Sequence, residues 1–426
     1  MTSPRTALPS TTLAALIGIL AGLAVGAAIH ASGNPLLTTV ALRVGVVGTL
    51  WTHALRLLVL PLVVSNLVVA IARLHDARAV GKMGGLALLI FAVMLAAGAV
   101  FTLLAAPLVL ARFAPGPALL EAVHAARPAA PVAPAPPAAD WIVSLIPTNL
   151  LRAATDDDIL PVVLVTVAFA LALTRIGAAA RTLLVGVFEA TFEAVLVMLR
   201  WVVALSPLGV FALALDLAVR TGAASAGAFG FWVAMVSGLM LAFTALLYPI
   251  TVLIGRVSPG AFAWSALPAQ TVAAGTRSSL ASLPALMEGA ERRLGLPAEV
   301  ASFALPLAVS TFKLNRTISS VAKLMFLAAL YRVHLEPVRV ASFALMIGIF
   351  SFSTPGIPSA GTLQSMPAYL AAGIPLEGVV LLNAVDAIPD IFKTVLNVTS
   401  NLSAAVILNR LLGNPAPVAT AKPGRE

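Results

Sequence analysis

The chain has 426 residues, 60% of them hydrophobic and 10% charged, with a mean hydropathy of +1.03. Soluble domains carry about 25% charged residues, so the composition excludes a soluble globular protein and implies an integral membrane protein. The net charge of +9 does not point to nucleic acid, because the basic residues form no single patch and do not alternate with aromatics, and the absence of cysteine excludes disulfides and thiolate metal sites.

Apolar runs bounded by charges predict about eight spanning helices, at 12–31, 44–73, 83–112, 158–175, 181–218, 227–255, 298–331 and 378–410. Runs of about 20 residues cross a hydrocarbon core of about 30 Å, and the alternation of a membrane β-barrel is absent. The first run reads as a true span and not a cleaved signal, since further membrane segments follow it at once. Basic residues follow the connections: Arg73, Arg78 and Lys82 in one, Arg175 and Arg181 in another, Arg410, Lys422 and Arg425 at the end. The positive-inside rule then puts both termini in the cytoplasm of a bacterial-type inner membrane. Pro115 to Ala139, rich in Pro and Ala, reads as an external flexible loop.

Two further apolar stretches, 259–295 and 340–377, carry Pro and Gly near their midpoints and are expected to be re-entrant helical hairpins. Hairpin then helix, twice over, has the layout of an inverted repeat. The fold expected is therefore an all-α polytopic membrane protein with about eight spans and two hairpins. Its divisions are an N-terminus at 1–11, helices one to three at 12–112, the loop at 113–141, helices four to six at 142–258, a transport core at 259–412 and a tail at 413–426.

Chemistry concentrates in that core. Asp386, Asp390, Lys393, Asn397 and Asn401 recur at helical spacing and are expected along one face of the last span. A charge at mid-membrane costs about 2.5–3.5 kcal/mol on the insertion scale, so pairing or a polar cavity must offset it. A plain structural pair of Asp386 or Asp390 with Lys393 is the bland reading. At the first hairpin break, Ser278, Ser279 and Ser282 can donate to a carboxylate or merely cap the second arm, and Arg277 can pair with an acid such as Asp390. Lys313-Leu314-Asn315-Arg316-Thr317 interrupts the seventh span, and its two cations would repel sodium, which wants oxygen ligands; pairing with Asp386 or Asp390 for folding alone is equally open. His53 is read as a helix-to-helix hydrogen-bonding group and Asp156 to Asp158 as a solvated helix start.

Pro147-x-Asn149, Ser206-Pro207-Leu208-Gly209-Val210-Phe211, the Arg277-Ser278-Ser279 to Leu283-Pro284 tip, Gly356-Ile357-Pro358-Ser359-Ala360-Gly361 and Asp386 to Asn397 together resemble the dicarboxylate/amino acid:cation symporters, a family that includes glutamate and archaeal aspartate transporters. The resemblance implies a homotrimer in the lipid bilayer, with a scaffold and an elevator-like moving part built from both hairpins and the last two helices. It places Asp390 on a substrate α-amino group and Lys393, an Arg in transporters of acidic amino acids, on the side-chain carboxylate. Arg277, Ser278, Ser279, Thr317, Gly356, Ile357, Pro358, Thr394 and Asn397 complete the implied substrate site.

The sequence departs from the family at the ion sites. The Asn-Met-Asp-Gly-Thr motif aligns with Lys313 to Thr317, where its aspartate has become Asn315, and the aspartate near the end of the last helix corresponds to Asn401. The usual sodium sites are therefore expected to be lost, leaving coupling to protons through Asp386 or Asp390, or exchange without a cation. No cofactor or metal is expected. A carrier of an acidic amino acid or related carboxylate is the leading reading, and a carboxylate-gated or anion-conducting channel the alternative. A hydrolase using Ser278 or Ser279 with Lys313 has no Gly-x-Ser-x-Gly elbow to support it.

Overall fold

A computed structural model describes residues 10–78, 81–113, 115–116, 121, 140, 143–156, 159–222, 224–352 and 360–415. Every helix and turn among these belongs to an all-α architecture, without strands. Six helices in this set are long and apolar enough to cross a membrane. The Pro/Ala-rich loop lies almost wholly outside the described residues.

The first helices form a layered group. α1 (Ser10–Ser32), α2 (Pro35–Arg78) and α3 (Lys82–Leu110) precede a short α4 (Leu150–Thr155), capped by the Asn149 side chain, and α5 (Ile159–Leu173). α6 (Ala178–Ala204) and α7 (Ser206–Thr221) were expected as one span over 181–218, but the chain breaks at Leu205, and Pro207 in the first turn of α7 has no N–H to continue the ladder. α1 lies unusually close to α7. A Cβ on Gly18 would stand 2.5 Å from the Pro207 carbonyl oxygen, one on Gly22 2.6 Å from that of Phe211, and one on Gly26 2.7 Å from the Ala218 Cβ. Glycine every fourth residue gives α1 a smooth stripe that lets two backbones approach, the usual device where lipid supplies no hydrophobic drive between helices.

α8 (Ala224–Gly255) leads to the first hairpin. Its arms are α9 (Pro259–Thr276) and α10 (Leu283–Glu288), which continues as a π turn at Gly289–Arg293. α9 stops because Arg277 takes a left-handed φ of 52°. The arms then close so tightly that a Cβ on Gly289 would meet the Ser265 carbonyl oxygen at 2.2 Å. α11 (Ala298–Thr311) and α12 (Leu314–Tyr331) follow, then the second hairpin, α13 (Pro337–Ser351) and α14 (Ala360–Ala371), then α15 (Leu376–Ala384) and α16 (Pro389–Leu411).

The spans expected as continuous at 298–331 and 378–410 are therefore each broken. At the first break Phe312 and Lys313 are extended, and buried Phe312 is held there by stacking on Phe91 at 4.6 Å. At the second, Pro389 opens α16 and cannot donate to the turn before it. Hairpin then broken helix occurs twice in succession, which is the repeated layout expected from the sequence.

α16 runs through the centre, packed against α8, α9, α11, α3 and α12, whereas α1, α2, α6 and α7 pack mainly on one another. Lys393, Thr394, Asn397, Thr399, Ser400, Asn401 and Ser403 on α16 are all buried. Hydrogen bonds tie this polar helix to its neighbours: Gln270 on α9 donates to Thr399 at 2.8 Å, and Thr251 on α8 lies 2.5 Å from Ser403, Oγ1 to Oγ.

Candidate functional site

Three irregular segments converge on α16: the tip of the first hairpin, the α11–α12 break and the α15–α16 break. Such breaks free backbone N–H and C=O groups at membrane depth, where they must find partners or line a cavity. Side chains answer part of that need here. The Lys313 ammonium donates back to the Val309 carbonyl at 2.5 Å, filling an acceptor released at the end of α11, where positive charge also suits the helix dipole. Asn397 on α16 accepts the backbone N–H of Asn315 at 3.0 Å, so the α11–α12 break is fastened to the central helix.

The expected single face of five polar residues is corrected by the second break. Asp386 lies in the non-helical stretch before Pro389, and only Asp390, Lys393, Asn397 and Asn401 belong to α16. The turn nevertheless returns Asp386 to its neighbours, and its carboxylate forms an ion pair with the buried Lys393. Its other oxygen, Oδ1, is buried without a hydrogen-bond partner among the described residues. Thr394 donates to the Asp390 carbonyl at 2.8 Å. Asp390 is half-buried, within electrostatic reach of Lys393, Asp386 and Arg277.

Arg277 is half-buried at the hairpin tip, but among the described residues no ion pair joins it to Asp390. Ser278 accepts from the Ala281 N–H at 3.2 Å and Ser282 donates to the Ser278 carbonyl at 2.9 Å, so these two hydroxyls shape the tip turn. Ser279 is buried beside them. Gly356, Ile357 and Pro358 lie outside the described residues.

Neither cation of the Lys313–Thr317 segment pairs with Asp386 or Asp390. Arg316 is buried and donates to Gln364 at 3.2 Å and Ser365 at 2.6 Å, joining α12 to the second arm of the second hairpin, where Tyr369 donates to the Ser320 carbonyl at 3.2 Å. Thr317 is buried with its hydroxyl donated to the Leu314 carbonyl at 3.0 Å, and Gly98 on α3 faces it so closely that a Cβ there would stand 2.9 Å from Oγ1. Asn315 Oδ1 and both amide atoms of Asn401 are buried without hydrogen-bond partners among the described residues. Neutral amides thus stand at the places where the resemblance puts sodium-binding carboxylates.

One buried charge escaped the sequence reading. Lys323 on α12 is 5% exposed, donates to Asn383 Oδ1 on α15 and lies 5.6 Å from the centre of the Trp232 ring on α8. Its signal was present: a lysine seven residues beyond Arg316 falls on the same helix face, inside an apolar run.

Comparison with known proteins bears on this arrangement. Residues 9–411 match the sodium:dicarboxylate symporter family. The proton/sodium-glutamate symport protein of Bacillus subtilis (strain 168) is 27% identical over 416 residues, covering 95% of this chain and 94% of that protein. The proton/glutamate-aspartate symporter of Escherichia coli (strain K12) is 26% identical, covering 92% and 91% respectively. The human neutral amino acid transporter B(0) is 28% identical, covering 93% of this chain and 79% of the transporter.

Proposed function

As a member of the sodium:dicarboxylate symporter family, this chain is a membrane transporter and not an enzyme, and we propose that its cargo is an acidic amino acid or a related carboxylate. The observation that carries this reading is Lys393, a buried cation on the central helix beside the half-buried Asp390, which lies within electrostatic reach of Arg277 at the first hairpin tip. A lysine there offers an anionic group a strong charge-assisted partner without the planar fork of arginine, and Asp390 offers an acceptor for an α-amino group. The proton/glutamate-aspartate symporter among its relatives supports the same cargo class.

The reading extends to the ions. Lys313, Arg316 and Lys323 at the start of and along α12, with Lys393 on α16, outnumber Asp386 and Asp390 of α16 and the turn before it, an excess of positive charge that favours an anion and disfavours sodium. Asn315 and Asn401 supply oxygen but no charge to compensate a cation, and Asn315 Oδ1 and both amide atoms of Asn401, which lack partners among the described residues, suit an ordered water. Transport then proceeds with a proton taken up at Asp386 or Asp390, or as substrate exchange without a cation.

We further propose elevator-type movement of the hairpins and α11–α16 against a scaffold of α1, α2, α6 and α7, a division supported by how those two groups pack. Assembly as a homotrimer is supported by Arg43, His53, Glu193 and Arg200, which are exposed on the apolar helices α2 and α6 where lipid alone would be a poor solvent for charge. The basic connections support cytoplasmic termini in a bacterial-type inner membrane.

The test is counterflow in proteoliposomes. Labelled L-aspartate or L-glutamate should enter saturably, accelerated by unlabelled substrate inside, and unchanged when choline replaces sodium. A strict sodium requirement overturns the ion reading, and flux that neither saturates nor shows trans-stimulation supports a channel instead.

A further inference from the structure

The geometry points to Lys323 as the substitute partner that releases Lys393 for substrate: when a carboxylate takes Lys393, the freed Asp386 is neutralised by the Lys323 ammonium. This inference rests on the reading of Lys393 as the carboxylate-binding group.

In the structure Lys393 is already engaged by Asp386, so an arriving carboxylate must displace one of them from the other. Displacement would leave Asp386 as an unpaired carboxylate at membrane depth, a strongly unfavourable outcome unless a second cation is at hand. Lys323 meets that requirement. Its ammonium donates to Asn383, the residue whose backbone carbonyl accepts the Asp386 N–H at 3.1 Å, so Asn383 and Asp386 belong to one turn. Asp386 and Lys393 both lie within electrostatic reach of Lys323. The receiving atom is also defined, because Asp386 Oδ1 is buried and lacks a hydrogen-bond partner among the described residues.

Among the described residues the remaining surroundings of Lys323 offer no competing carboxylate: Trp232 on α8 presents a ring face, and Asn383 on α15 a neutral amide whose Nδ2 is likewise buried and without a partner there. Lysine is suited to such a move. Its ammonium has three donors on a flexible stem, and one can remain on Asn383 while another turns to Asp386. Lys323 is therefore a positioning residue that acts on substrate through Asp386.

A double-mutant cycle on the full chain tests the exchange, with L-aspartate and L-glutamate as probes and apparent affinity read from counterflow and from ligand-induced thermal stabilisation. Lys323→Met should weaken binding about tenfold or more, a loss of about 1.4 kcal/mol or greater, because Asp386 keeps its hold on Lys393. Asp386→Asn alone should tighten it, since Lys393 is then free. The combined variant should bind nearly as well as Asp386→Asn, because a neutral residue 386 no longer needs Lys323. If Lys323 served packing alone, its loss would persist in the Asp386→Asn background, and that result overturns the inference. Should Lys323→Met not fold, Lys323→Gln, which removes the charge but keeps a donor for Asn383, takes its place in the cycle, and a loss that persists in the Asp386→Asn background again overturns it. Retained binding in Lys393→Ala would instead overturn the underlying reading of the site.

Discussion

Asn397 holds the backbone N–H of Asn315 at 3.0 Å, across a separation of 82 residues, and so couples the central helix to the break in the helix before it. The bond is partly buried, and it ties the group proposed to bind substrate to the segment that in this family's pattern carries an ion site. Asn397→Ala would leave that amide unsatisfied at a cost of about 1–3 kcal/mol. The expected outcome is a lower thermal midpoint together with weakened binding, while Asn397→Asp, which keeps an acceptor oxygen, should retain more of both.

Lys393 has two roles that separate under mutation. Lys393→Ala leaves the half-buried Asp386 without its ion-pair partner, a loss smaller than the roughly 3–5 kcal/mol of a fully buried pair broken on one side. Combining it with Asp386→Asn should recover most of the thermal midpoint but none of the ligand-induced stabilisation. Recovery of ligand response in the double variant would show that Lys393 does not bind cargo.

Lys313 should behave differently. Its ammonium fills the Val309 carbonyl at the end of α11 and pairs with no acid among the described residues. Lys313→Met is therefore expected to lower stability by about 0.5–1.5 kcal/mol, the usual net value of one hydrogen bond, with apparent affinity for L-aspartate nearly unchanged. A loss of binding as large as that of Lys393→Ala would place Lys313 in the site.

The α1–α7 contact makes a separate structural prediction. Gly22→Leu inserts a side chain where a Cβ alone would already lie 2.6 Å from the Phe211 carbonyl oxygen. Overpacking of this kind typically costs about 1–3 kcal/mol. Reduced yield of folded protein, with unchanged affinity in the fraction that folds, is the expected result, because α1 packs mainly on α7.

Much of this organisation was legible in the sequence, for identifiable reasons. The first hairpin announced itself through Gly275 and Pro284 inside an apolar stretch, and the chain reverses between them. The α11–α12 break was not legible, because Phe312-Lys313 contains no helix-breaking residue; the tertiary stacking of Phe312 on Phe91 holds it open, and the Lys313 ammonium fills the Val309 carbonyl four residues back. Asp386 was placed on a helix face by its spacing from Asp390, since spacing counts residues and does not register the break between Ala384 and Pro389. Its pairing with Lys393 had been anticipated as the bland alternative, and the structure contains it. Lys323 was passed over because the run around it reads as apolar, although an isolated lysine in such a run is itself informative.

The central claim is that Lys393 forms a carboxylate site that works without sodium. The most direct measurement is the thermal midpoint of the purified protein in sodium-free choline medium with saturating L-aspartate or L-glutamate, for the wild type and for Lys393→Ala. Ligand bound at about 100 times its Kd should stabilise the wild type by about 2.7 kcal/mol, and Lys393→Ala should show no shift. A shift that appears only when sodium is added, or one that survives in Lys393→Ala, contradicts the account.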